Sequence, residues 1–79
     1  MLVKTIKINR DLHPSTGRRY NNSVIFAYDP SEIVTVENVS HDYHGEYAAA
    51  CRVTFKNGET VVLACSVQDV INATMEKGE

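Results

Sequence analysis

The chain has no tryptophan, only two cysteines, and no apolar run approaching the roughly 20 residues a membrane-spanning helix needs. Its opening stretch is interrupted by Lys4, Thr5 and Lys7, so neither a signal peptide nor a spanning segment is read there, and a cytoplasmic protein is expected. Catalytic chemistry is missing too. No paired acid and base, phosphate-cradling glycine loop or activated nucleophile stands in motif spacing, so an enzyme is not expected and no cofactor is implied. There is no repeat, low-complexity tract or linker. The formal charge of −2 gives no global pull toward nucleic acid or membrane.

What is present is enough for one small folded domain over residues 1–79. The hydrophobic share of 43% against 23% charged argues against disorder. A chain this short buries only about 60–65% of its extended surface, so its core is thin and a homodimer would be an economical supplement.

The clearest pattern runs over residues 47–77. Between 47 and 55, Tyr47, Ala49, Cys51, Val53 and Phe55 alternate with smaller or polar residues, a strand period of two. Residues 59–65 return with Val61, Leu63 and Cys65 on one side. A two-residue Asn57-Gly58 turn would set Arg52 opposite Leu63, mixing polar with apolar. A three-residue turn, Lys56-Asn57-Gly58 with Gly58 left-handed in a bulge, sets Val53 opposite Val61 and Cys51 opposite Leu63. The burial pattern favours the longer turn. Ser66 then caps a helix, with Asp69 in its first turn. Val67, Val70, Ile71, Thr74 and Met75 form the stripe expected to dock on the hairpin, while Gln68, Asp69, Asn72, Ala73 and Glu76 face water.

Upstream, residues 2–8 read as a strand and residues 23–28, rich in β-branched and aromatic side chains, as a second. Residues 9–22, with Pro14 and Gly17, read as a long polar loop. Asp29 caps a turn with Pro30 first, residues 33–40 give a third strand, and residues 41–46 a loop centred on Gly45. The expected fold is α+β: an antiparallel sheet of four or five strands with one C-terminal helix packed on one face.

Three constellations are candidate sites. His41 and His44, with Asp42 or Glu46, have imidazole and carboxylate donors in one loop, but no further ligand has metal spacing. They read as incidental loop histidines, and no metal site is assigned. Cys51 and Cys65 lie diagonally in the preferred register, about 7–8 Å apart, and on opposite faces in the other, so both registers leave free thiols used for packing. Such thiols suit a reducing compartment. Arg10, Arg18, Arg19 and Tyr20 are the likeness of a partner-binding loop. Arginines engage phosphate or carboxylate, and tyrosine offers a stacking face. Charge is unevenly spread along the chain. Residues 1–28 hold five basic groups against one acidic, residues 29–50 hold five acidic and no basic, and the rest carry three basic against four acidic. The basic segment is expected to steer an acidic partner to one end.

The pieces Asp29-Pro30-Ser31-Glu32-Ile33, the run from Val53 to Val62 through Asn57-Gly58, and Ser66-Val67-Gln68-Asp69-Val70 are similar to short bacterial flagellar-operon proteins of the FlbD/SwrD type. The resemblance covers about half the chain. It departs at residues 9–22, at 41–46 and in the stretch before Tyr28. The Asn-Gly hairpin and capped helix also look like the end of LytTR-type DNA-binding domains, which are longer. The first resemblance implies a non-enzymatic cytoplasmic accessory protein. The expected function is a binding or regulatory module that modulates a partner protein, either a bacterial accessory protein or a phage-encoded inhibitor of a host machine. The alternative is a small nucleic-acid-binding module using residues 10–22.

Overall fold

The computed structural model describes residues 2–43 and 45–77, the side chains of 76 and 77 excepted. Five strands, β1 (Val3–Leu12), β2 (Arg19–Tyr28), β3 (Ile33–Asn38), β4 (Cys51–Phe55) and β5 (Thr60–Leu63), precede one helix, α1 (Val67–Lys77). The strands form one sheet in the order β2-β1-β5-β4-β3, with every neighbouring pair antiparallel. The expected α+β architecture is present, with five strands and the helix on one face.

The hairpin β4–β5 has the longer turn. Cys51 faces Leu63 and Val53 faces Val61. Gly58 takes a φ of +87°, a left-handed backbone that a Cβ would strain. The Phe55 N–H donates to the Glu59 carbonyl at 2.9 Å and the Gly58 N–H to the Phe55 carbonyl at 2.9 Å, while Asn57 Oδ1 accepts from the Glu59 N–H at 2.8 Å. These bonds close the turn that keeps the apolar set together.

The helix starts as its cap predicts. Ser66 Oγ accepts from the Asp69 N–H at 3.1 Å, and Asp69 Oδ2 accepts from the Ser66 N–H at 3.2 Å, a reciprocal pair that satisfies two otherwise orphaned donors. Its docking face is narrower than the stripe suggested. Val70 is buried and Val67 packs against the core, but Ile71 is 38% exposed and Met75 68% exposed. Thr74 is also exposed, whereas Ala73, expected to face water, is half-buried. Val67, Val70 and Ala73, three residues apart, form the side turned to the sheet, and Ile71 and Met75 lie outside it. With the exposed Val34, the two uncovered side chains line a shallow apolar groove of about 260 Å³ between α1 and the edge strand β3.

The main core lies between α1 and one face of the sheet, joining Tyr28, Cys51, Val53, Phe55, Val61, Leu63 and Val70. A smaller cluster on the other face, Ile8, Val39 and Ala50, is roofed by Tyr43 and Tyr47 from the connection between β3 and β4. That connection accounts for two departures. Residues 47–50 are not strand: Val39 donates to the Ala50 carbonyl at 3.0 Å and Ala50 donates to Ser40 Oγ at 2.9 Å, pulling the chain across the sheet before β4 begins. Strand β3 stops at Asn38 for the same reason, and a register shift between Ile33 and Thr35 lets both Ile33 and Val36 face the main core while Val34 turns out. Asp29 caps the turn at Pro30–Glu32 as expected, accepting from Ser31 N–H at 3.0 Å.

The largest departure is residues 9–22. They are not a long loop. Strands β1 and β2 pair without a break from Val3↔Tyr28 to Leu12↔Arg19, leaving only six residues to turn between them. The resulting ten-residue ribbon outruns its neighbour, and the domain measures 48 Å in its longest dimension against 24 and 19 Å in the others.

Candidate functional site

Strand β5 meets β1 through a single bridged pair, Lys7↔Leu63, with the Ala64 N–H donating to the Ile6 carbonyl at 2.8 Å. Beyond this point the ribbon has no third strand. Residues 9–12 and 19–22, with their turn, form an arm whose backbone pairs only within its own ladder. A two-stranded ribbon is marginal by itself in water, so the arm depends on its root for stability.

The turn is built from local bonds. The His13 N–H donates to the Arg18 carbonyl at 2.8 Å and the Gly17 N–H to the His13 carbonyl at 2.9 Å, with Gly17 left-handed at a φ of +69°. Thr16 Oγ1 accepts from the Arg18 N–H at 3.2 Å. The His13 and Tyr20 rings meet edge to face, 6.3 Å between centroids. One side of the root is braced from the acidic connection between β3 and β4. Tyr47 and Ser23 share a hydroxyl–hydroxyl bond of 3.2 Å, and Asn21 Nδ2 donates to a Glu46 carboxylate oxygen.

The pairing decides which of the expected contacts stand together. Arg10 opposes Asn21 and Leu12 opposes Arg19, so Arg10 and Arg19 share one face of the arm. Arg10 Nε donates to Asn21 Oδ1 at 3.4 Å. Tyr20 opposes Asp11 on the other face, and Arg18 sits in the turn just before β2. The four residues therefore do not converge on one spot; they ring the end of the arm. The ion pairs among the described residues are Arg52–Glu37 at 2.8 Å and His41–Asp42 at 3.1 Å, and neither uses an arm arginine. Leu12, which the sequence did not single out, is 59% exposed beside Arg19. Its signal was its place in a β-period continuing from Ile6 and Ile8.

Where arm and β5 separate, an open cleft of about 660 Å³ lies between them, walled by Arg10, Asp42, Tyr43, Arg52, Glu59 and Val62. Its mixed charges mark no ligand class. His41 is exposed in a short helical turn over Ser40–Tyr43, and His44 lies outside the described residues. Among the described residues, no group of three or more His, Cys, Asp or Glu side chains could hold a metal ion, and no helix is long and apolar enough to cross a membrane.

The cysteines are the free thiols expected. Their sulfurs lie 4.0 Å apart, with Cys65 just past the end of β5.

These features define a small antiparallel α+β domain with a free two-stranded arm. Compared with protein-family models, curated proteins and solved structures, the chain finds no match.

Proposed function

We propose that this chain is a non-enzymatic binding module that modulates a partner protein, and that the arm is its contact surface. The observation that carries the reading is the arm itself: a ribbon outside the core, with Arg18 and Arg19 in no ion pair among the described residues. The ribbon contributes little to the domain's own burial, while arginine and tyrosine combine large contact area with directed hydrogen bonds. Residues 9–22 hold three arginines against one aspartate, which suits a partner with an acidic surface. The outer edge of β2 also leaves backbone donors and acceptors open along ten residues, which a partner strand can join. Partner modulation by a bacterial accessory protein or a phage-encoded inhibitor is consistent with such a device.

The test captures partners from nuclease-treated lysate with three baits: the full chain, an Arg18→Ala/Arg19→Ala/Tyr20→Ala variant, and a Val34→Ala/Met75→Ala variant at the apolar groove. A specific protein is expected on the first and third baits, weakened by added salt, and lost from the second while its circular dichroism is unchanged. Equal capture by all three baits would make the arm a mere extension of the sheet. Steeply salt-dependent binding of the purified chain to single-stranded nucleic acid, abolished in the same triple variant, would instead select the nucleic-acid reading.

A further inference from the structure

The chain leaves β5 at Leu63, bends through Ala64 and Cys65, and enters the helix cap at Ser66. That bend lays Cys65 against the neighbouring strand β4, with its Sγ 4.0 Å from the Sγ of Cys51. The two thiols differ in access. Cys51 is fully buried in the main core, whereas Cys65 is half-buried at its margin. They differ in chemistry as well. Cys65 is lowered to about 7, chiefly by its thiol–thiol contact with Cys51, with the Thr5 hydroxyl adding a hydrogen bond, against desolvation and the Asp69 carboxylate. Cys51 is pushed far up by the same contact and by burial. The sulfur that solvent reaches is thus the one placed to react first.

We propose that Cys51 and Cys65 are an oxidisable dithiol that a small hydroperoxide converts to an intramolecular disulfide. The Cys65 thiolate attacks one oxygen of hydrogen peroxide; the O–O bond breaks, Cys65 becomes a sulfenic acid, and hydroxide leaves and takes a proton as water. The Cys51 sulfur then attacks the Cys65 sulfur. An S–S bond forms, the S–O bond breaks, and the departing hydroxide takes the Cys51 proton as a second water. Two thiols are oxidised and one peroxide is reduced to two waters. A disulfide is about 2.05 Å long, so the sulfurs approach by about 2 Å. Residues 64 and 65 lie outside the regular strand and can supply that movement. The bond would tie the inner strand β4 to the entry of α1.

The experiment oxidises the reduced, native full-length chain with hydrogen peroxide and reads intact mass, free thiol and non-reducing electrophoresis. The expected product is a monomer lighter by two hydrogens, with no thiol left to alkylate, returning to two thiols on reduction. Cys51→Ala removes the resolving sulfur together with the contact that chiefly lowers Cys65, so Cys65 should oxidise more slowly, to a sulfenic acid that dimedone labels and that goes on to gain oxygen. Cys65→Ser should leave Cys51 unmodified while the fold persists. Oxygen gain without hydrogen loss in the wild type, a disulfide-linked dimer, or no reaction while the urea-unfolded chain reacts would each overturn the proposal. The wild-type mass decides the matter even if a variant fails to fold.

Discussion

The β4–β5–α1 half and the β1–β2 arm are both antiparallel β-structure, yet they are held by different physics. In the first, side chains on one face meet a helix and disappear from water; Val53 and Leu63 have no exposed surface. In the second, the ladder continues for four pairs past the last core contact, and the residues it carries, Asn9, Arg10, Asp11 and Leu12 against Arg19 to Asn22, are mostly polar on both faces. The comparison separates what a strand needs to form from what a domain needs to fold. Backbone pairing can propagate a ribbon outward from a fixed root, but only apolar burial fixes the root.

Leucines in the two regions break or sustain that comparison most sharply. Leu63→Ala should cost about 2–5 kcal/mol, the range for a fully buried leucine, and Leu12→Ala within about 0.5 kcal/mol of nothing. Urea unfolding followed by circular dichroism measures both. A costly Leu12 substitution would mean that the arm packs on something and is not free.

Ser66→Ala removes one half of the reciprocal cap and should cost about 1 kcal/mol, with α1 fraying from its first turn. An unchanged midpoint would show that packing of Val67 and Val70 alone holds the entry. Further along the helix, Ile71→Ala should cost below about 1 kcal/mol, because over a third of the side chain is already in water. A loss near that of Leu63 would place Ile71 in a covered site, with the groove beside β3 closed by a second molecule.

A smaller, pH-dependent difference is expected at the thiols. Cys65 is held below its ordinary value of 9.0, at about 7, so folding favours its thiolate. Its contribution is present above pH 9 and lost as pH falls through about 7. Cys51 and Tyr28 are both raised, Cys51 first by its contact with Cys65 and Tyr28 first by burial; their contributions are present below their ordinary values and lost above them. Against a Cys65→Ser variant, the reduced wild type should therefore gain stability between pH 7 and pH 9. Solvent at the half-buried sulfur keeps the gain modest. Denaturation midpoints of the two proteins at those pH values check it, and a wild-type advantage that shrinks over the interval would reverse the assignment of the thiolate.

Much of the core half was legible in residues. Alternation from Cys51 to Phe55, the Lys56-Asn57-Gly58 turn, and Ser66 with Asp69 are local signals, each readable within a few positions, and together they specified register, faces and helix start. The arm was not legible. Its polar residues and Pro14 carry the composition of a loop, and in a ribbon solvated on both faces Leu12 alone continues the apolar period of Ile6 and Ile8. By composition the partner candidates are loop residues, and only the pairing divides them between two faces.

By itself the sequence determined the features whose causes are short in range: the β4–β5 turn that needs Gly58 left-handed, the cap on α1, and the division of β4 into a buried and an exposed face. Tertiary structure decided the rest. It extended β1 and β2 past the core because their root is paired to β5. It turned Val67, Val70 and Ala73 to the sheet and left Ile71 and Met75 on the groove beside β3, and it brought Cys65 onto Cys51 because the chain bends after Leu63. Each depends on where a distant segment lies, and periodicity along one stretch of chain holds no record of that.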